Sequence, residues 1–448
     1  MKRLWLVLFL LGILTVFSTS ALAVDVKFSG ELYVAGAYLD KIGLSKDPGS
    51  AEKGFNTAFF YQRLRVQTDF VVSPGLSLIT RVDALERVWD GPRTSPGITL
   101  AVDSYGTQAE NENIAFDWAY INYASPIGAF AVGIMNDGAT GTVFGNSYAP
   151  AGRIKYSYTI SPVTLNLAYT KVKDTSYNQQ GTNTTATWSD ADQDKYGIEG
   201  IFTWKDGKAG LNINYYRYAD TRPAPNNYQK TYYVFTPYAV AKIGPVDLQA
   251  ELNYATGKLK VYDDASFGSD VKMQNFSGWV DATATFSPVY FGGSIAYVSG
   301  DDPTTSDTQE GGTLNGGRDW SPTLLMWNWD RSYWIGAITS TAVGTTNGFG
   351  SSFANGLLYQ GRIGVRPIAQ LDVMASLTYA TADKKPAGYV GGSYGWEADL
   401  VGTYKITNNL SYMLGLGYLW TGDYFKGANN NNGVVNDFIV TNKLTLTF

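Results

Sequence analysis

The sequence holds no cysteine and no histidine among its 448 residues. Without thiols there are no disulfides, so stability has to come from packing and hydrogen bonding. Without imidazole the usual general base is missing, and with it Ser/His and Cys/His pairs and the histidine ligands of zinc and haem. The c-type haem signature needs both absent residues. Charge is sparse as well, at 16% of residues with a formal net charge of −5 and no basic block, so a nucleic-acid partner is not expected. No cofactor is implied, and the chain is not expected to be an enzyme.

Long hydrophobic runs are missing too, with one exception at the start. In "MKRLWLVLFLLGILTVFSTSALAVDV" two basic residues precede an apolar run from Leu4 to Phe17, and Ala21 to Ala23 form an A-x-A site. This pattern predicts a secretory signal peptide over residues 1–23, cleaved after Ala23. The run is shorter than the twenty or so residues that cross a bilayer as a helix. Losing Lys2 and Arg3 takes the formal charge from −5 to −7. An exported chain without helical spans belongs in the periplasm, outside the cell, or in an outer-membrane barrel.

What is present is alternation. "TAFFYQRLRVQTDFVV" (Thr57 to Val72) places Phe60, Leu64 and Phe70 on one parity, and Tyr61, Arg63, Arg65, Gln67 and Asp69 on the other. After "SPG", "LSLITRVDALERV" repeats it, with Leu78, Val82 and Ala84 opposed to Ser77, Arg81, Asp83 and Arg87. Period two is the signature of a strand with one greasy and one polar face. Seven further tight connections follow at Ser125–Gly128, Ser161–Pro162, Asp206–Gly207, Gly244–Pro245, Ser287–Pro288, Pro367–Ala369 and Asn408–Asn409.

Nine longer polar segments alternate with these turns: 40–56, 89–113, 135–152, 174–194, 220–229, 259–270, 300–355, 382–393 and 422–436. The meander predicts 18 strands. Sixteen remain open because Pro237 interrupts the pattern, and the "SPTLLMWNWDRSYWIGAI" stretch of 300–355 has room for extra strand or a short helix.

The polar parity is charged on many strands: Arg153 and Lys155, Glu199 and Lys205, Asp247 and Glu251, Arg362 and Arg366, Glu397, Asp399 and Lys405. Tyr and Trp gather at strand ends, as at Tyr156 and Tyr158 or Tyr418 and Trp420, where a membrane-interface girdle belongs. In lipid a sheet persists only when closed. The tail "NKLTLTF" (Asn442 to Phe448) is therefore expected to pair with "VKFSGELYVAGAYL" (Val26 to Leu39). The fold class is all-β: a transmembrane antiparallel up-and-down β-barrel of 16 to 18 strands over residues 24–448, with long extracellular loops and short periplasmic turns. With the first strand at about Val26, a plugged TonB-type transporter is not expected.

The tail resembles the C-terminal signature of bacterial outer-membrane proteins, with Phe448 last and Leu446 and Leu444 on its parity. That resemblance implies an assembly signal read by the outer-membrane assembly machinery; Phe448 is otherwise one more girdle residue. "FDWAYINYASPIGAFAVGIMNDGATGTVFGNS" (Phe116 to Ser147) resembles the third-loop region of Gram-negative trimeric general porins. The resemblance implies a homotrimer in outer-membrane lipid that passes small hydrophilic solutes and ions by passive diffusion. It also implies a third loop (135–152) folded into the barrel, setting Asp137 against Arg63, Arg65, Arg81, Arg153 and Lys155 at a constriction. Asp137 is the only acid between Met135 and Gly152, where general porins carry several. Alternatively the arginines pair with Asp69 and Asp83 on their own wall. A substrate-selective channel for sugars or organic acids, or a sheath around a partner protein, are the competing functions. Asp263/Asp264 and Asp301/Asp302 lack a spaced calcium loop.

Overall fold

The computed structural model describes residues 24–448 except 47–55, 90–113, 139–140, 147–148, 175–190, 220, 222–226, 315–318, 341–343 and 350–352. The signal peptide expected at 1–23 lies outside the described residues. Among the described residues, eighteen strands form one closed antiparallel barrel, to which a two-residue strand, Thr308–Gln309, adds in parallel at Lys272 and Met273. The first nine are β1 (Asp25–Leu39), β2 (Thr57–Ser73), β3 (Leu76–Val88), β4 (Ile114–Ser125), β5 (Gly128–Asn136), β6 (Pro150–Ile160), β7 (Val163–Lys173), β8 (Gln193–Trp204) and β9 (Gly207–Tyr218). The second nine are β10 (Tyr228–Ile243), β11 (Val246–Tyr262), β12 (Val271–Phe286), β13 (Val289–Val298), β14 (Gly356–Ile368), β15 (Leu371–Thr381), β16 (Ser393–Lys405), β17 (Leu410–Thr421) and β18 (Asp437–Thr447).

Each strand pairs with its chain neighbour, and β18 closes the ring on β1 from Glu31↔Thr447 to Leu39↔Ile439. Gly30 and Phe448 exchange two backbone hydrogen bonds beyond that ladder, at 2.8 and 3.1 Å. A Cβ at Gly30 would meet the Phe448 ring, which is why the seam carries glycine there. The eight tight turns and nine long loops fall where the alternation places them, and the strand count is the upper of the two expected. Pro237 does not break the meander: β10 runs through it, in continuous register with β9, and only its pairing toward β11 lapses at that point. A proline lacks the N–H for one ladder bond but holds an extended backbone.

The apolar parity faces outward. On β17, Tyr412, Leu414, Leu416, Tyr418 and Trp420 are exposed, while Gly415, Gly417 and Leu419 between them are buried inside. Girdle aromatics stack along the outer wall near the loops, with ring centroids 5.3 Å apart for Tyr169 and Tyr196 and 4.9 Å for Tyr215 and Tyr233. A second group lies near the turns, including Phe130 and Tyr156 at 5.0 Å and Phe202 and Trp204 at 6.0 Å. Of the charges assigned to the polar parity, Lys205 sits in the β8–β9 turn instead.

The interior departs from the purely aqueous lumen that the alternation implies. A hydrophobic cluster sits inside the ring, joining wall residues such as Trp279, Val298 and Leu419 to Leu44, Phe144, Trp320, Met326, Phe353 and Phe425 from four loops. The cause is sequence outside the strands. Loops bring large apolar side chains, and the wall beside them offers small or apolar residues in place of charge. The 300–355 segment does contain a short helix, α1 (Trp329–Ile335), capped by the Asn328 side chain, together with short strand pairs.

Candidate functional site in the barrel lumen

The lumen wall from β1 to β4 is a ladder of charge pairs set by register. Arg65 lies opposite Asp83 and grips it with two hydrogen bonds of 2.7 and 2.6 Å. Arg65 also reaches Asp117 at 3.3 Å, which Arg81 holds at 3.1 Å while its guanidinium lies 3.5 Å from the centre of the Trp118 ring. Arg63 pairs with Glu31 at 3.4 Å and Glu86 at 3.8 Å. Planar guanidinium and carboxylate forks match in geometry, so such pairs fix side-chain direction as well as charge. Asp69 takes a hydrogen bond from Gln67.

Asp137, just past the end of β5 on the third loop, meets a different set of cations. Arg153 on β6 approaches it at 3.3 Å and Lys195 on β8 at 2.9 Å, and the Thr170 hydroxyl donates to it at 3.0 Å. It is 8% exposed. The structure thus brings Asp137 and Arg153 together. Arg63, Arg65 and Arg81 pair instead with acids of their own wall, because register puts those acids within reach and the third loop runs along β6 to β11. Lys155 also faces the lumen on β6 and has no ion pair or hydrogen bond among the described residues.

Beyond Asp137 the third loop is tied to the far wall. Glu251 on β11, 1% exposed, accepts from the Thr142 backbone N–H at 2.7 Å and from its hydroxyl at 2.9 Å. Gly141 and Gly145 press so closely on this carboxylate that a Cβ at either would collide with it. Phe144 then stacks on Trp279, 5.8 Å between centroids, and meets Trp320 of the seventh loop edge-on at 5.1 Å. Asn146 donates to Asp319, so the third and seventh loops touch twice inside the ring.

The seventh loop is held in the same way. Glu397 on β16, fully buried, accepts from the backbone N–H groups of Leu324, Leu325 and Met326 at 2.9, 2.6 and 2.8 Å. Gly415 and Gly417 on β17 let Leu324 approach the wall. Arg331 in α1 is buried and donates to the Gly336 and Met326 carbonyls at 2.6 and 3.1 Å. Burial pushes its guanidinium down to about 10, so it stays charged at neutral pH beside Glu397. Trp334 stacks on Tyr61 at 4.7 Å, and Asp330 pairs with Lys443 at 3.1 Å. A cavity of only about 50 Å³ remains between α1 and the wall.

Lys195, Thr170 and Phe144 join the site beyond the residues that the sequence points to. Lys195 carried a signal, since it shares inward parity with Glu199. Glu251 and Glu397, lumen charges by parity, cap loop backbones in the structure.

By sequence, no family of known proteins and no curated protein matches the chain. By fold, it is similar over 94% of its length to a BenF-like porin from Pseudomonas fluorescens Pf-5, covering 99% of that chain with a TM-score of 0.52 at 10% identity. OccK11 (OpdR) of Pseudomonas aeruginosa gives a TM-score of 0.51 at 13% identity, covering 95% of this chain and 96% of the other. OpdK of Pseudomonas aeruginosa, in a crystal structure with vanillate, gives 0.50 at 11% identity, covering 94% and 99%. The likeness is one of fold: the chain is a porin-like transmembrane barrel.

Proposed function

We propose that the protein is a porin of a Gram-negative outer membrane, exported by cleavage after Ala23 and passing small hydrophilic solutes and ions down their gradients. The observation that carries this reading is the closed ring with apolar side chains outside and paired charges inside, narrowed by its own loops. Long loops then face outward and short turns the periplasm. Asp137, Arg153 and Lys195 form one side of the constriction, with Lys155 as its unpaired cation and Arg63, Arg65 and Arg81 lining the approach. Opposite charges fixed across a narrow, partly dry passage orient water and polar solutes. The protein is a homotrimer in this reading, and Phe448 marks the end recognised by the assembly machinery.

Purified protein in a planar bilayer tests it: discrete channels are expected, with a reversal potential in a salt gradient that moves in Asp137→Asn. Absence of conductance in wild type overturns it. Unchanged conductance and selectivity in Arg63→Ala and Arg81→Ala would remove those residues from the path.

A second reading, a substrate-selective channel, is favoured by the apolar cluster that the third and seventh loops build inside the ring. Liposome swelling separates the two, since a preference unrelated to solute size supports selectivity. The same loops occupy space that a sheath would need for a partner.

A further inference from the structure

Antiparallel register lines up one outward residue from each of six adjacent strands, β7 to β12. The partners run Lys171↔Asp194, Asp194↔Arg217, Arg217↔Thr231, Thr231↔Lys258 and Lys258↔Lys272. Two residues nearer the turns, β7 to β10 carry the girdle tyrosines 169, 196, 215 and 233, whose rings follow one another at 5.3, 6.3 and 4.9 Å, and the row continues as Thr256 and Gln274 on β11 and β12. The next row begins with the exposed Leu167 and Ile198. Passing from loop to mid-wall, the surface on β7 to β10 is therefore charged, then aromatic, then apolar, and on β11 and β12 charged, then polar, then aromatic. Headgroup, interface and acyl chains follow in that order through a leaflet.

The charged row holds four cations and one acid. Lys171 and Arg217 share Asp194, at 3.0 and 4.0 Å, and Lys171 also holds Asp192 at 2.6 Å. Lys258 and Lys272 stand directly opposite each other, an arrangement that is unfavourable for like charges. Their partners are the loop acids Asp270 at 3.2 Å and Asp307 at 3.9 Å, whose side chains are 44% and 65% exposed. Ion pairs so open to water contribute little. A phosphate placed between the two ammonium groups would satisfy both with charge-assisted hydrogen bonds.

We propose that Lys258 and Lys272, flanked by Arg217, bind the phosphorylated headgroup of an outer-leaflet lipid. The inference rests on the proposed outer-membrane setting with the long loops outward. A lipid fits better than free phosphate because the rest of the molecule would pass Thr256 and Gln274 and lie on the exposed Tyr254 and Phe276 of the same two strands.

The test is native mass spectrometry of the folded barrel in zwitterionic detergent with diphosphorylated lipid A, its dephosphorylated form, and inorganic phosphate. Wild type is expected to retain the diphosphorylated lipid. Lys258→Ala combined with Lys272→Ala is expected to weaken retention roughly 30-fold, from two lysines near an anionic surface. Lys258→Arg with Lys272→Arg should preserve it. Equal retention by the alanine variant, equal retention of dephosphorylated lipid, or displacement by millimolar phosphate alone would overturn the proposal.

Heat-modifiable gel migration reports folding of the variant, and its channel conductance should match wild type because the row lies outside the lumen. Lysine-dependent lipid retention by a barrel that conducts nothing would support this inference while sinking the porin reading. Conductance without lysine-dependent retention would do the reverse.

Discussion

The wall from β1 to β4 and the wall from β16 to β18 face the same lumen yet are finished in different ways. In the first, inward arginines and acids alternate and neutralise one another across the ladder, as Arg65 does with Asp83 and Asp117. In the second, Gly415, Gly417 and Leu419 face inward, and the seventh loop packs on them, fastened by Glu397. Where the strands supply charge the passage is lined by side chains; where they supply small and apolar residues it is filled by backbone from elsewhere. A buried carboxylate in the first setting faces a guanidinium, and in the second it faces peptide N–H groups.

The strongest way to break this contrast is Glu397→Ala, which leaves three buried N–H groups without their acceptor. Losing these charge-assisted bonds is expected to weaken seventh-loop docking by about 4 kcal/mol. The loop should become cleavable by protease, and single-channel conductance should rise. Phe144→Ala comes next: emptying a buried aromatic site costs about 3 kcal/mol, here on the contact between the third loop and Trp279 and Trp320. Chemical denaturation and conductance should both register it.

Asp137→Asn, at about 2 kcal/mol, sharpens the comparison, because it leaves Arg153 and Lys195 with surplus charge. The reversal potential should then move toward anion preference. Lys242→Ala is the control. Its ion pair with Asp247 spans 3.6 Å with both side chains about 60% exposed, so stability should change by less than about 0.5 kcal/mol.

The ring itself was legible in the sequence because period two writes inside and outside into every strand, and because Pro, Gly and Asn mark each tight turn. Even the seam between "NKLTLTF" and β1 follows from the need to leave no edge in lipid. The pairing of Arg65 with Asp83 was within reach, since adjacent strands joined by a short turn have a fixed register. Asp137 with Lys195 was not: they are 58 positions apart, and the contact depends on the course of a loop with no periodicity. The same holds for Glu251 and Glu397. Parity announced that they face inward but said nothing about which backbone would come to meet them. Leu324 and Phe144 lie in segments whose apolar character conflicts with a loop in water, and that conflict was the available signal.

Because Glu251 and Glu397 each take backbone N–H groups of an inward loop onto the wall, the gauge of the passage is not a property of the cylinder. It is written in these clasps and the segments they help to hold, and could be re-bored by editing loop and clasp positions while every ladder hydrogen bond of the ring stayed in place.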